Sequence, residues 1–244
     1  MAAKPVAVSR RAELALRLGI GALLLIGAAW LFGAIAEDVV TSDRLTVVDV
    51  EFARFLREHA TPRVTRWMLI VTNLHSTVAV CCYAALVGAV LAARRRWRRL
   101  ATVFVCVAGG LALNVLMKLA FHRARPVLDD PLLTLASYSF PSGHVAGSTI
   151  SYGLLVVWVF SRTRRLHWRV LAVVCAATAI ALVAFTRMYL GVHYLSDVVA
   201  AFAEGVAWLA LCLSALTIFW GRAPLRPSGD PPGPMAATAQ PPRP

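Results

Sequence analysis

The feature that most limits how this chain can fold is a series of six apolar stretches, each about as long as a bilayer's hydrocarbon core is thick. They cover residues 18–36, 67–93, 100–121, 144–160, 170–189 and 193–220. Crossing roughly 30 Å of hydrocarbon takes about 17–25 helical residues, so each stretch reads as a membrane-spanning helix. The fourth is short unless its polar first turn is helical too. None shows strict apolar–polar alternation, which argues against a barrel. With 59% hydrophobic and 15% charged residues in a chain of 244, and a mean hydropathy of +0.69, the apolar surface exceeds what a water-soluble domain of this size buries. The expected fold class is all-α, a polytopic membrane protein built as a six-transmembrane-helix bundle.

Lysine and arginine set its direction. Lys4, Arg10, Arg11 and Arg17 precede the first span, five arginines fill 94–99, Arg162, Arg164, Arg165 and Arg169 join the fourth span to the fifth, and Arg222 and Arg226 follow the sixth. All four segments fall on one side of a six-span chain, which the positive-inside rule makes cytoplasmic. On the other side lie the loop after the third span and a loop at 37–66, where six acidic residues offset five arginines. The net charge of +13 is thus spread over short clusters, suited to orientation and to anionic lipid. Nucleic acid, which needs one continuous basic face, is not an expected partner.

The expected organisation is a cytoplasmic segment 1–17, a membrane domain 18–220 in a cell membrane, and a cytoplasmic tail 221–244. That tail holds eight prolines and little apolar mass, a composition that predicts disorder. The basic start, the first apolar stretch and Ala34-Ile35-Ala36 also resemble a cleavable signal peptide. The length of the apolar run favours a retained span, and cleavage would leave the other five oriented as before. Within 37–66, Val48, Phe52, Phe55 and Leu56 recur at helical spacing, which fits an amphipathic helix on the outer membrane surface or a helix packed on the bundle. Cys81, Cys82, Cys106, Cys175 and Cys212 all lie in apolar runs and read as small hydrophobes, with neither a disulfide framework nor a metal-ligand spacing.

Three polar clusters interrupt this apolar chain, all mapping to the outer face. They are Lys118 to Pro126 at the end of the third span, Pro141-Ser142-Gly143-His144 opening the fourth, and Thr186-Arg187 with His193 and Asp197 around the fifth-to-sixth connection. Charged groups beside membrane spans are costly unless paired or functional. Lys118, Arg125 and Arg187 suit the three equatorial oxygens of a transferring phosphoryl group. Lys118 and Arg125, seven apart, would share a face of a continued helix, and Pro126 would end it. Ser142 and Gly143 look like a helix N-terminus, where free N–H groups bind anions. His193 and Asp197, four apart, would meet on a helix, so that a carboxylate on Nδ1 leaves the Nε2 lone pair free as nucleophile or base. His144 would protonate a leaving oxygen and then activate water.

Each residue alone has a blander reading. Lys118 can be a snorkelling helix-end lysine, Ser142-Gly143 a plain cap, Gly143, Gly147 and Ser151 a close-packing face, and His193 a satisfied bundle histidine. Their joint occurrence, in order on one membrane face, favours chemistry. His122 and Arg123 fall between the matched positions and read as lining the entrance. His75, in the polar patch 72–77, and Asn114 read as interhelical hydrogen-bonding groups, and Glu204 as a buried protonated carboxyl.

The patterns K-x6-R-P at 118–126, P-S-G-H at 141–144 and R-x5-H-x3-D at 187–197 together resemble the type-2 phosphatidic acid phosphatase family, which shares its anion site with vanadium haloperoxidases. The resemblance covers roughly the second to sixth spans; Thr186 stands where the family usually has serine. It implies that His193 is a nucleophile forming a phosphohistidine, Asp197 its orienting partner and His144 the general acid. It further implies phosphate binding by Lys118, Arg125, Ser142, Gly143 and Arg187, with no metal and no cofactor. The implied substrate is a lipid phosphate or diphosphate in the outer leaflet: undecaprenyl diphosphate, favoured by the resemblance, or phosphatidic acid or phosphatidylglycerol phosphate. A phosphotransferase of the same family and a non-catalytic lipid-binding membrane protein are the alternatives. Nothing in the spacing bears on oligomeric state.

Overall fold

The computed structural model describes residues 10–127, 132–133 and 135–221. Residues 1–9 and 222–244, which include most of the proline-rich tail with Arg222 and Arg226, lie outside the described residues. Eight helices follow in order: α1 (Arg10–Thr41), α2 (Arg44–Glu58), α3 (Pro62–Leu74), α4 (Thr77–Ala93), α5 (Trp97–Phe121), α6 (Gly143–Arg162), α7 (Leu166–Tyr189) and α8 (Leu195–Gly221). Five of them, α1, α5, α6, α7 and α8, are individually long and apolar enough to cross a membrane, and α3 with α4 passes as a pair bent by 41°.

That bend departs from the single helix expected over 67–93. The polar patch explains it. His75 terminates α3 with its Nδ1–H donating to the Val71 carbonyl at 2.8 Å, and Ser76 starts α4 by accepting the Ala79 N–H on Oγ at 3.2 Å. Two caps back to back pair end groups of both helices, so the span bends at little cost in unsatisfied backbone.

The alternatives open for 37–66 are resolved by α2. It begins at Asp43, whose carboxylate accepts the Arg44 N–H, and packs against α1, α7 and α8. Asp49, Ala53 and Leu56 are buried, whereas Val48 and Phe55 stay about half exposed. The face turned to the bundle is rotated from the one marked by the apolar spacing, and it carries a carboxylate at its centre. The Ala34-Ile35-Ala36 triplet lies inside α1, where Ile35 and Ala36 pack with Phe140 and Ala200.

The centre of the bundle is α8, which touches α1, α2, α5, α6 and α7. Leu23, Trp30, Val78, Phe104 and Leu166 point outward with most of their surface uncovered, as lipid-facing residues do. Close crossing of α6 and α8 depends on Gly205, because a Cβ there would stand 2.8 Å from Thr149 Cβ and 3.2 Å from the Ala146 carbonyl oxygen. Small residues permit such backbone approach. The crossing brings the start of α6 against the start of α8, where the Ser142 N–H donates to the Asp197 carbonyl at 3.2 Å.

Candidate active site

All three polar clusters meet at one end of the bundle, though not in the local geometry expected. Helix α5 stops at Phe121, because His122 takes a left-handed conformation (φ 48°) and donates its N–H to the Lys118 carbonyl at 3.1 Å. Histidine is among the few residue types that tolerate this region. Lys118 and Arg125 therefore do not share a helical face, contrary to expectation; Arg125 lies in the irregular segment beyond. They converge all the same on the segment before α6. Lys118 Nζ donates to the carbonyls of Tyr138 (2.7 Å) and Ser139 (3.3 Å). Arg125 donates to the Ser137 carbonyl (2.7 Å), Ser137 Oγ (2.9 Å), the Tyr138 carbonyl (3.2 Å) and the Val192 carbonyl (2.5 Å).

Ser142 occupies the cap position of α6, and its Oγ is buried without a hydrogen-bond partner among the described residues. Gly143 follows as the first helical residue. A Cβ on it would come 3.0 Å from Asn114 Oδ1, while Asn114 Nδ2 donates to Glu204 Oε2 at 2.9 Å. A polar pair thus underlies the helix start, and a side chain there would have to push Asn114 aside. His144, next in line, lies within electrostatic reach of Arg187, His193, His75 and Arg125.

Arg187 ends α7 almost completely buried, 1% exposed. Its Nη1 donates to Thr72 Oγ1 at 2.6 Å, and its Nε has no partner among the described residues. The same residue's carbonyl accepts the N–H groups of Val192 (3.2 Å) and His193 (3.3 Å), and Gly191 supplies the positive φ of 69° that reverses the chain. The neighbouring Thr186 hydroxyl donates to its own helix, at the Val183 carbonyl.

His193 precedes α8 instead of lying on it, which corrects the expected helical pairing with Asp197. The contact forms by another route. Asp197 sits in the first turn of α8 and reaches back to accept the Tyr194 N–H at 2.9 Å, as the acidic residue of a capping box does. Its Oδ2 also accepts the Ser139 hydroxyl and lies 3.3 Å from His193 Nδ1. On the far side of the ring, Arg125 Nη1 lies 3.3 Å from Nε2. A guanidinium only donates, so Nε2 carries the lone pair and Nδ1 the proton. Burial drives the His193 pKa down to about 3, and Arg187 and Arg125 lower it further while Asp197 works against them. The imidazole is neutral at neutral pH.

Two further residues complete the cluster. Arg123, expected only to line the entrance, donates from Nη1 to Asp197 Oδ1 (2.7 Å) and Ser196 Oγ (2.6 Å), and from Nη2 to Asp49 Oδ2 (2.8 Å). Asp49 was not anticipated at all. Its signal in the sequence was a charged residue beside the apolar positions of α2, legible only as an exception to the pattern. His75 Nε2 bonds the Tyr152 hydroxyl at 2.8 Å, an interhelical contact, and the His122 ring stands edge-on to Tyr138.

Comparison with known proteins identifies a family and a shared fold. Residues 99–220 match the PAP2 superfamily. Phosphatidylglycerophosphatase B of Bacillus subtilis (strain 168) is 28% identical over 148 residues, 59% of this chain and 71% of that one. The crystal structure of a transmembrane PAP2 type phosphatidylglycerolphosphate phosphatase from Bacillus subtilis superposes with a TM-score of 0.67 at 24% identity, covering 84% of this chain and 98% of that one. The crystal structure of Aquifex aeolicus LpxE gives 0.54 at 21% identity, over 68% and 94% of the two chains. At these identities the structures establish a shared fold.

Proposed function

The chain belongs to the PAP2 superfamily and is a membrane phosphoric ester hydrolase of lipid substrates, and from that premise we propose that it dephosphorylates a glycerolipid headgroup through a phosphohistidine at His193. The observation that carries this reading is the neutral His193 ring, held at Nδ1 by Asp197 and facing the Arg125 guanidinium with its Nε2 lone pair.

In the first step Nε2 attacks phosphorus, the P–O bond to the lipid breaks, and His144, entering as the imidazolium, gives its extra proton to the departing oxygen and is left neutral. Asp197 stabilises the positive charge that the phosphorylated imidazole acquires. In the second step His144 takes a proton from water, whose oxygen attacks phosphorus; the N–P bond breaks, releasing inorganic phosphate and restoring His193. Lys118, Arg125 and Arg187 hold the three oxygens throughout, assisted by Ser142 and the Gly143 N–H. The buried Arg187 Nε and Ser142 Oγ, without partners among the described residues, are donors suited to an anion.

For the lipid, the name of the Bacillus subtilis relative favours phosphatidylglycerol phosphate over the undecaprenyl diphosphate that the motifs alone suggested. A cavity of about 380 Å³ beside the α3–α4 bend is lined by His75, Val80, Tyr83, Ser148 and Tyr152 among others, apolar walls with hydroxyl and imidazole groups of the kind a lipid would need. The arginine bias supports a site on the extracytoplasmic face with both termini cytoplasmic.

The test is phosphate release by the purified protein in detergent from phosphatidylglycerol phosphate, phosphatidic acid and undecaprenyl diphosphate, with EDTA present. Turnover is expected to be insensitive to EDTA and greatest on a glycerolipid, with an acid-labile phosphoenzyme that His193→Ala abolishes. Turnover by His193→Ala above about a thousandth of wild type would exclude the covalent route; inactivation by EDTA reversed by a divalent ion would exclude the metal-free one.

A further inference from the structure

We infer that Asp49, on α2, is a positioning residue for the nucleophile: through Arg123 it fixes the Asp197 carboxylate and cancels the guanidinium charge, so that His193 faces a full negative charge. This rests on His193 being the nucleophile, as proposed above. Asp49 also lies outside the residues that match the family.

The contacts form a single chain of charge. Asp49 Oδ1 accepts the Ser196 N–H at 2.9 Å, and its Oδ2 accepts both the Ser196 hydroxyl and Arg123 Nη2, the latter at 2.8 Å. Arg123 Nη1 passes on to Asp197 Oδ1 at 2.7 Å, leaving Oδ2 for His193. Both carboxylates have fully buried side chains, and Arg123 is 12% exposed, stacked over the Tyr194 ring at 4.4 Å. Burial opposes the Arg123 charge, but Asp197 and Asp49 outweigh it and hold the guanidinium above its ordinary pKa.

Charge counting gives the function. Arg123 alone would offset part of the Asp197 charge, and a carboxylate so offset stabilises a cationic phosphoimidazole less. Asp49 offsets Arg123, so the trio keeps one net negative charge while the guanidinium fork still sets the orientation of Asp197. The second carboxylate is needed because the first has been clamped by a cation. The other groups acting on His193 are cationic or neutral, namely Arg125, Arg187 and His144, and Lys118 acts on Asp197. None of them replaces the missing negative charge.

A tie that merely fastens α2 to the bundle would show the same contacts but different titration. The experiment compares the acid limb of kcat/KM in wild type, Asp49→Asn, Arg123→Met and the double variant; ionisation of the substrate is common to all four and cancels. Asp49→Asn leaves an extra positive charge behind Asp197, making His193 harder to protonate, so its limb moves down by on the order of one pH unit. Arg123→Met leaves an extra negative charge and moves the limb up by a similar amount. The double variant restores the net charge and returns towards wild type. Limbs that stay put or move in the same direction, with the double variant worst of all, would overturn the inference. Should Asp49→Asn not fold, the double variant against Arg123→Met carries the same comparison, and coincident limbs would overturn it. Acid-labile phosphoenzyme is followed in the same samples and in His193→Ala. If it forms on wild type but not His193→Ala while the limbs fail to separate, only the role of Asp49 falls; if it persists in His193→Ala, the nucleophile reading falls first.

Discussion

Replacing Asp197 with asparagine tests the electrostatic part of the proposed mechanism. The substitution preserves volume and leaves one oxygen for the Tyr194 N–H and Ser139 hydroxyl contacts, but it turns an amide NH2 towards Arg123 in place of Oδ1 and removes the charge 3.3 Å from His193 Nδ1. With an effective dielectric of about 20, a carboxylate and an imidazolium at that separation attract by about 5 kcal/mol. The attraction exists once His193 has been phosphorylated and is absent in the neutral resting ring, so it lowers the barrier and not the binding energy. At about 1.4 kcal/mol per decade, kcat should fall on the order of a thousandfold or somewhat more, with KM little changed. Rapid-quench measurement of phosphoenzyme formation reads the affected step directly, and vanadate affinity checks that the anion site remains assembled. Formation within about tenfold of wild type, with vanadate binding intact, would refute the argument that Asp197 acts by charge.

Three further outcomes follow from the same geometry. His144→Ala should still phosphorylate from an activated aryl phosphate, whose leaving group needs no proton, while a lipid phosphate reacts slowly; equal loss on both substrates without trapped phosphoenzyme would remove His144 as the acid. His193 takes up its proton near pH 3 when folded and near 6.5 when unfolded, so its stabilising contribution is complete above 6.5 and is lost as pH falls towards 3. The drop in Tm between about pH 7 and about pH 5 should be smaller in His193→Gln, and equal drops would show that another group controls acid stability. In a cysteine-free background, Val127→Cys should react with an impermeant thiol reagent on intact cells and Trp97→Cys only after permeabilisation; the reverse pattern would put the chemistry in the cytoplasm.

Much of the fold was legible because the length of an apolar run decides whether a helix can cross a membrane, and that length is written along the chain. The residues of the three motifs were legible for a related reason, since polar groups stand out against an apolar background. How they meet was not. Lys118 and Arg125 converge through backbone carbonyls of 137–139, not through a common helical face, because His122 ends the helix early. His193 reaches Asp197 because Asp197 caps the turn that carries it. The break at His75-Ser76 follows from two side-chain caps, which a polar patch inside an apolar run does not by itself distinguish from interhelical hydrogen-bonding groups. Asp49 and Arg123 lie 74 residues apart in sequence. A carboxylate on an amphipathic helix is ordinarily a solvated one, and only packing of α2 against α8 removes it from water and makes a partner obligatory. The order and length of the apolar runs already set which polar groups fall at the ends of helices; packing of those helices decided which of the groups lose their solvent and must answer one another's charge.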